Sequence, residues 1–178
     1  MPIPQRFLPI FLSIVCSTAL IGFPARAHAL ASKGDAFLGY SRLGNDDFSP
    51  STGGLNGWEG AVNIKFKPLA GIDVDLGHYG LGGNGTVPHS TTFLFGPRVT
   101  VGLGLAHVFA HALVGGEHSS DSAGYSSGAL ALGFGGGVDL PLTPLFGWRV
   151  AADYLAAPTS SPDGATHARF STGIAIHF

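Results

Sequence analysis

Apolar and polar side chains alternate with a period of two through separate short segments of this chain, most plainly over residues 167–178. Ala168, Phe170, Thr172, Ile174, Ile176 and Phe178 fall on one face there, and His167, Arg169, Ser171, Gly173, Ala175 and His177 on the other. A period of two is the mark of a β-strand whose faces meet different surroundings. Because the pattern runs to the last aromatic residue without a polar tail, that end is expected to be tied into a sheet.

Seven further segments carry the same signal. The first spans 36–43. The second, 57–67, sets Trp58, Gly60, Val62, Ile64 and Phe66 against Glu59, Ala61, Asn63 and Lys65. In the third, 71–79, Ile72, Val74 and Leu76 oppose Asp73 and Asp75; in the fourth, 90–99, Thr91, Phe93 and Phe95 oppose Leu94 and Arg98. The fifth, 105–114, fits either phase. The sixth, 128–140, places Leu130, Leu132, Phe134, Val138 and Leu140 opposite Ala129, Ala131, Gly133, Gly135, Gly137 and Asp139. The seventh, 147–156, places Trp148, Val150, Ala152 and Tyr154 opposite Arg149, Ala151 and Asp153.

The connections alternate in length. Long polar stretches occupy 44–56, 80–89, 115–127 and 158–166, whereas 68–70, 100–104 and 141–146 are short. Long loops at one end and short turns at the other, with an even strand count, are the pattern of an all-β fold: an eight-stranded antiparallel up-and-down transmembrane β-barrel. Both termini then lie at the short-turn, periplasmic end, and the long loops are extracellular. Which face meets lipid follows from cost, because an Arg or Lys at the bilayer midplane costs about 2–4 kcal/mol. Glu59, Lys65, Asp73, Asp75, Arg98, Arg149, Asp153 and Arg169 must therefore point inward. A soluble, lipocalin-like barrel would have the opposite sidedness, with its apolar residues lining the cavity.

Composition sharpens this picture. Charged residues make up 11% of the 178, 28 are glycine, and after the N-terminal segment no window of about 18 uninterrupted apolar residues remains for a spanning helix. Residues 1–29 read as a secretory signal peptide: Arg6, then the mostly apolar run from Phe7 to Phe23, then an A-x-A site at Ala27-His28-Ala29. A retained anchor is the rival, but Pro9, Ser13, Ser17, Gly22 and Pro24 interrupt the run. Residues 30–178 form the expected barrel domain. The single cysteine, Cys16, follows Val15 rather than a small residue, which argues against lipidation, and it leaves with the signal. Disulfide and thiol chemistry leave with it. The formal charge of −2 becomes about −4 without Arg6 and Arg26, and no basic patch suggests nucleic acid.

Several stretches resemble a known family: Phe37-Leu38-Gly39-Tyr40-Ser41, Gly54-Leu55-Asn56-Gly57-Trp58-Glu59, Phe93-Leu94-Phe95-Gly96-Pro97-Arg98, Phe109-Ala110-His111-Ala112-Leu113, Asp153-Tyr154 and Arg169-Phe170-Ser171-Thr172-Gly173. The chain is similar across its mature length to the OmpA-like eight-stranded outer-membrane β-barrel proteins, among them barrel-domain proteins of no common activity. The resemblance implies the fold and an outer-membrane address. It also implies an assembly signal in the last strand, which Ser171, Gly173, Ile176 and Phe178 match. Outer-membrane lipid, periplasmic chaperones and the barrel-assembly machinery are the partners it implies, with the barrel itself a monomer.

An eight-stranded barrel is just wide enough for side chains to fill. Glu59, Asp73, Asp75 and Asp153 can pair there with Lys65, Arg98, Arg149 and Arg169, so a closed, charged plug is expected ahead of a narrow channel for small or apolar solutes. The small inward row of the sixth segment leaves room for water or for neighbouring arginines, or serves strand curvature. His111 is expected to be a lumen hydrogen-bonding residue.

Catalysis lacks a constellation, and a lipid-modifying enzyme is a distant third reading. His167 and Ser171 lie four apart, about 13 Å at strand rise. His89 and Ser90 point to opposite faces, and His118-Ser119-Ser120 falls in a loop beside Glu117. His107 and His111, also four apart, do not make a metal pair, Gly133–Gly137 lacks the Lys-Ser/Thr and helix of a phosphate loop, and no cofactor is expected. Asn45, Asp46, Asp47, Glu117 and Asp121 read as solvated loop, with calcium as the alternative. Trp58, Trp148, Tyr40, Tyr79 and Tyr154 suit interfacial girdles, with lumen filling as the alternative. N-terminal sequencing of the protein from membrane fractions is expected to read from Leu30; a start at Met1 would overturn the signal-peptide assignment.

Overall fold

The computed structural model describes residues 33–44, 54–80, 89–120, 126–157 and 165–178. The signal segment and most of the long connections, with Asn45, Asp46, Asp47 and Asp121, lie outside them. Eight strands follow one another: β1 (Gly34–Leu43), β2 (Leu55–Lys65), β3 (Ala70–Tyr79), β4 (His89–Leu103), β5 (Ala106–Ser120), β6 (Ser126–Pro141), β7 (Phe146–Ala157) and β8 (Ala165–His177). Each pairs antiparallel with the next, and β1 pairs with β8 from Asp35↔His177 to Leu43↔Arg169, closing the barrel. Reciprocal backbone hydrogen bonds between Gly34 and Phe178 extend the seam by one step. Closure leaves no sheet edge, the condition for placing strands in hydrocarbon.

Several boundaries differ from the pattern read along the chain. β4 and β5 run on through residues expected to turn, and a two-residue connection, Gly104-Leu105, joins them. Gly104 sits at φ 65°, where only glycine is at ease, and a glycine in the first position suits a tight hairpin turn. At the other end, β5 extends to Ser120 and β6 begins at Ser126, so His118-Ser119-Ser120 is strand rather than loop. Serine and glycine dominate that stretch and hide its alternation, whereas pairing with β4 and β6 supplies the backbone hydrogen bonds. β1 also starts earlier than expected, at Gly34, which brings Asp35 into the sheet.

The outward face is apolar on every strand. Leu38, Ile64, Val74, Phe95, Val114, Phe134, Val150 and Ile174 are all exposed, one from each strand in turn. A continuous apolar band of this kind far exceeds the few hundred Å² that a soluble monomer tolerates, and hydrocarbon is the solvent it fits. Amphipathic rings flank the band, their polar tips satisfied on the surface: Tyr40 donates to Asn56 Oδ1 at 2.6 Å and Trp148 Nε1 to Thr172 Oγ1 at 2.6 Å. Trp58 and Tyr154 are likewise outward. Tyr79 is not; fully buried, it packs inside the lumen, because its odd-numbered position falls on the same face as Asp73 and Asp75.

Val74 lies in the middle of β3, between Val62 of β2 and Phe95 of β4. Val74→Arg is expected to lower stability by about 2–4 kcal/mol in lipid vesicles, measured by urea unfolding. A neutral result would mean that this face does not meet hydrocarbon.

Candidate functional site

The inward face gathers the charge. Asp35, Glu59, Asp73, Asp75, Asp139 and Asp153 are buried together with Arg98, Arg149 and Arg169. Strand register explains the convergence, since inward positions of neighbouring strands lie at the same height. Asp73 of β3 is two residues from Gly71, which pairs with Arg98, and Asp139 pairs directly with Arg149, as Asp153 does with Arg169.

Two layers of ion pairs fill the section. In the one nearer the short turns, Arg98 reaches Asp35 at 3.2 Å, Asp73 at 3.3 Å and Asp139 at 3.3 Å. Arg149 binds Asp139 through Nε at 2.6 Å and Asp35 at 2.5 Å. Phe109 lies beneath both guanidiniums, 3.7 Å from that of Arg98 and 4.9 Å from that of Arg149, in cation–π geometry. In the next layer, Arg169 is held by Asp75 at 2.8 Å, Asp153 at 2.7 Å and Glu59 at 3.3 Å. His111 joins the layers, with Asp73 2.9 Å from Nδ1 and Asp153 2.7 Å from Nε2. With a carboxylate on each ring nitrogen, both bonds form only if this group of three holds one proton more than a neutral imidazole brings.

Above the second layer, toward the long-loop end, the lumen turns apolar. Leu43, Tyr79, Leu94, Leu113, Ala131 and Leu155 form one buried cluster across it. Beyond it, the Ser90 and Ser119 hydroxyls both donate to Glu117, at 2.8 and 3.0 Å. Glu117 therefore faces the lumen and serves two serines there, in place of the loop position expected for it.

Placement of the eight charged residues read from the chain differs among them. Glu59, Asp73, Asp75, Arg98, Arg149, Asp153 and Arg169 come together as described. Lys65 stands apart: it is half-buried at the short-turn end and makes no ion pair among the described residues. Its position at the end of β2 places it below the ring of carboxylates that Arg98 and Arg149 already occupy. Asp35 and Asp139 were not expected in the network. Asp35 fell outside the first segment, although it lies two before the inward Phe37, and Asp139 stood in the inward row of β6 without a charged neighbour in sequence to suggest a partner.

The small residues of that row are also explained. A Cβ on Gly137 would meet the Phe109 ring at 2.8 Å, one on Gly135 would overlap the Asp153 carboxylate, and one on Gly133 would touch Leu155 at 3.2 Å. Phe109, Asp153 and the leucine cluster occupy the space, rather than water or an arginine chain. Of the last-strand positions, Ser171 is buried inside with Gly173 on the same face, and Ile176 and Phe178 point out.

A closed eight-stranded barrel, apolar outside and filled with paired charges inside, is a transmembrane β-barrel of the outer-membrane type. No protein-family model and no curated protein sequence matches the chain. Among solved structures it is similar to Neisserial surface protein A, at 15% identity over 82% of this chain and 96% of that one, with a TM-score of 0.61. It is similar also to OprG from Pseudomonas aeruginosa, at 11% identity over 83% and 97% with a TM-score of 0.57. A third is Ail, the attachment invasion locus protein of Yersinia pestis, at 18% identity over 82% and 99% with a TM-score of 0.53. What these barrels share with the chain is the fold, the one its resemblance to OmpA-like barrels implies.

Removing one partner from a buried cluster leaves the others uncompensated, which typically costs about 3–5 kcal/mol. Arg169→Ala is expected to lose that much, read from urea unfolding in vesicles. Pairing it with Asp75→Asn should recover part of the loss, and no recovery would mean that the two side chains act independently.

Proposed function

We propose that the protein is an integral component of the bacterial outer membrane that acts through structure or surface interaction, with a closed lumen, periplasmic termini and extracellular long loops. The observation that carries this reading is the order of side chains along the barrel axis. Two layers of buried ion pairs are capped by Leu43, Leu94, Leu113, Leu155 and Tyr79. A solute crossing the barrel would have to break charge pairs in a low-dielectric section and then separate a packed apolar cluster, and both steps are costly.

The loops then become the part of the protein with access to other molecules. Barrels named as a surface protein and as an attachment protein use this same fold. A role without catalysis is supported by the destinations of three inward serines: Ser90 and Ser119 donate to Glu117 and Ser41 to Glu59, rather than to a histidine base. For delivery, Ser171, Gly173, Ile176 and Phe178 are proposed as the signal read by the assembly machinery. A narrow channel is the second reading, favoured by the recess of about 90 Å³ at the short-turn end.

Conductance in planar bilayers separates the two. The purified barrel is expected to give no steady single-channel steps, and Leu94→Ala with Leu113→Ala should leave the membrane sealed by the ion-pair layers. Steady openings in the unmodified protein that change with Arg149→Ala would overturn the closed-lumen reading in favour of the channel.

A further inference from the structure

The recess at the short-turn end has a chemistry that neither the charge network nor the closed lumen uses. Asp35, Lys65, Thr100, His107, Asp139 and His177 surround it. Pro141, Thr143 and Pro144 beside the β6–β7 turn also line it, and Asp35 and Asp139 join it to the Arg98–Arg149 layer. The carboxylates on its wall are already engaged: Asp35 and Asp139 each receive hydrogen bonds from both arginines.

The nitrogens are not. Lys65 makes no ion pair among the described residues, and an ammonium can only donate. His107 Nδ1 and His177 Nε2 are buried without a hydrogen-bond partner, on rings whose centroids lie 6.4 Å apart. Buried polar atoms are ordinarily satisfied, and several left open around one recess mark a place for a polar guest. Lys65, Arg98 and Arg149 balance Asp35, Asp73 and Asp139 at this level, but those three carboxylates are all held by the arginines, so Lys65 is the cation there that no carboxylate holds at ion-pair distance among the described residues.

We propose that this recess is a binding site for a small oxyanion of monocarboxylate size, held by Lys65 with His107 and His177. The recess offers about 90 Å³, well above what a single water needs, and so has room for a small polyatomic ion. With Asp35 and Asp139 already bound by both arginines, the recess offers a cation no free carboxylate, whereas Lys65 offers an anion a free ammonium. Among the described residues, no three histidine, cysteine, aspartate or glutamate side chains are grouped to hold a metal ion. The site rests on the recess alone, so it stands whether or not the lumen conducts.

The test uses the mature barrel in detergent micelles with its histidines labelled with ¹⁵N. Imidazole resonances of His107 and His177 are followed while acetate, and separately inorganic phosphate, is added, with sodium chloride at equal ionic strength as the reference. Saturable shifts with a millimolar dissociation constant are expected for at least one oxyanion, and comparing the two constants sizes the guest. Lys65→Gln should raise the constant at least tenfold, and His177→Gln serves as an independent variant. Lys67→Gln, in the neighbouring turn and outside the recess, should leave it within twofold. Heat-modifiable gel mobility checks that each variant is folded. Shifts that grow without saturation as they do in chloride, or a constant unchanged in Lys65→Gln, would overturn the proposal. Planar-bilayer current is a separate measurement, so a conducting barrel would refute the closed lumen without touching this site.

Discussion

The cost of facing an ionised carboxylate toward hydrocarbon organises the whole molecule. Every acidic side chain among the described residues, Asp35, Glu59, Asp73, Asp75, Glu117, Asp139 and Asp153, lies on the inward face. With alternate residues on opposite faces, that single requirement sets the sidedness of each strand, and the apolar band on the outside follows from it. The same requirement crowds charge into a lumen only wide enough for side chains, so pairing becomes obligatory there.

Crowding then dictates how the residues are shared. Three arginines serve six carboxylates because a planar guanidinium offers donors in several directions at once, and a lysine could not replace it at these positions. His111 supplies the remaining bridge. Glycines on β6 let Phe109 and Asp153 lie against the barrel wall, and Phe109 in turn supports both guanidiniums of the lower layer. The lumen is thus ordered along its axis: an anion-suited recess, two charged layers, an apolar cluster, and a small polar group around Glu117. This order gives the two ends of the barrel different chemistries, one of which faces the short turns and the other the loops.

Much of the fold was legible along the chain, because alternation is local. The outward placement of Val62, Val74, Phe95, Val138, Val150 and Ile174 needed nothing beyond neighbours two apart. Serine- and glycine-rich ends were not legible: Ser119 and Ser126 carry no apolar contrast, and only pairing with other strands makes them sheet. Tyr79 was ambiguous for a related reason, since a tyrosine suits both an interface and a packed lumen. The apolar cluster around Leu94 and Leu113 escaped notice because inward leucines look like exceptions until their partners on four other strands are known.

By itself, the sequence determined the strand count, the lipid-facing side of every strand but the first and fifth, and the class of residue that fills the interior, all of which depend on local period and on transfer cost. Only the tertiary structure decided which acid meets which arginine, that Lys65 is left over beside two open imidazoles, and that leucines cap the charged layers. Those outcomes depend on stagger between strands far apart in the chain, as in Asp35 reaching Arg149 across the closing seam region. Stagger is set by the closure of eight strands at once, and no single segment contains it.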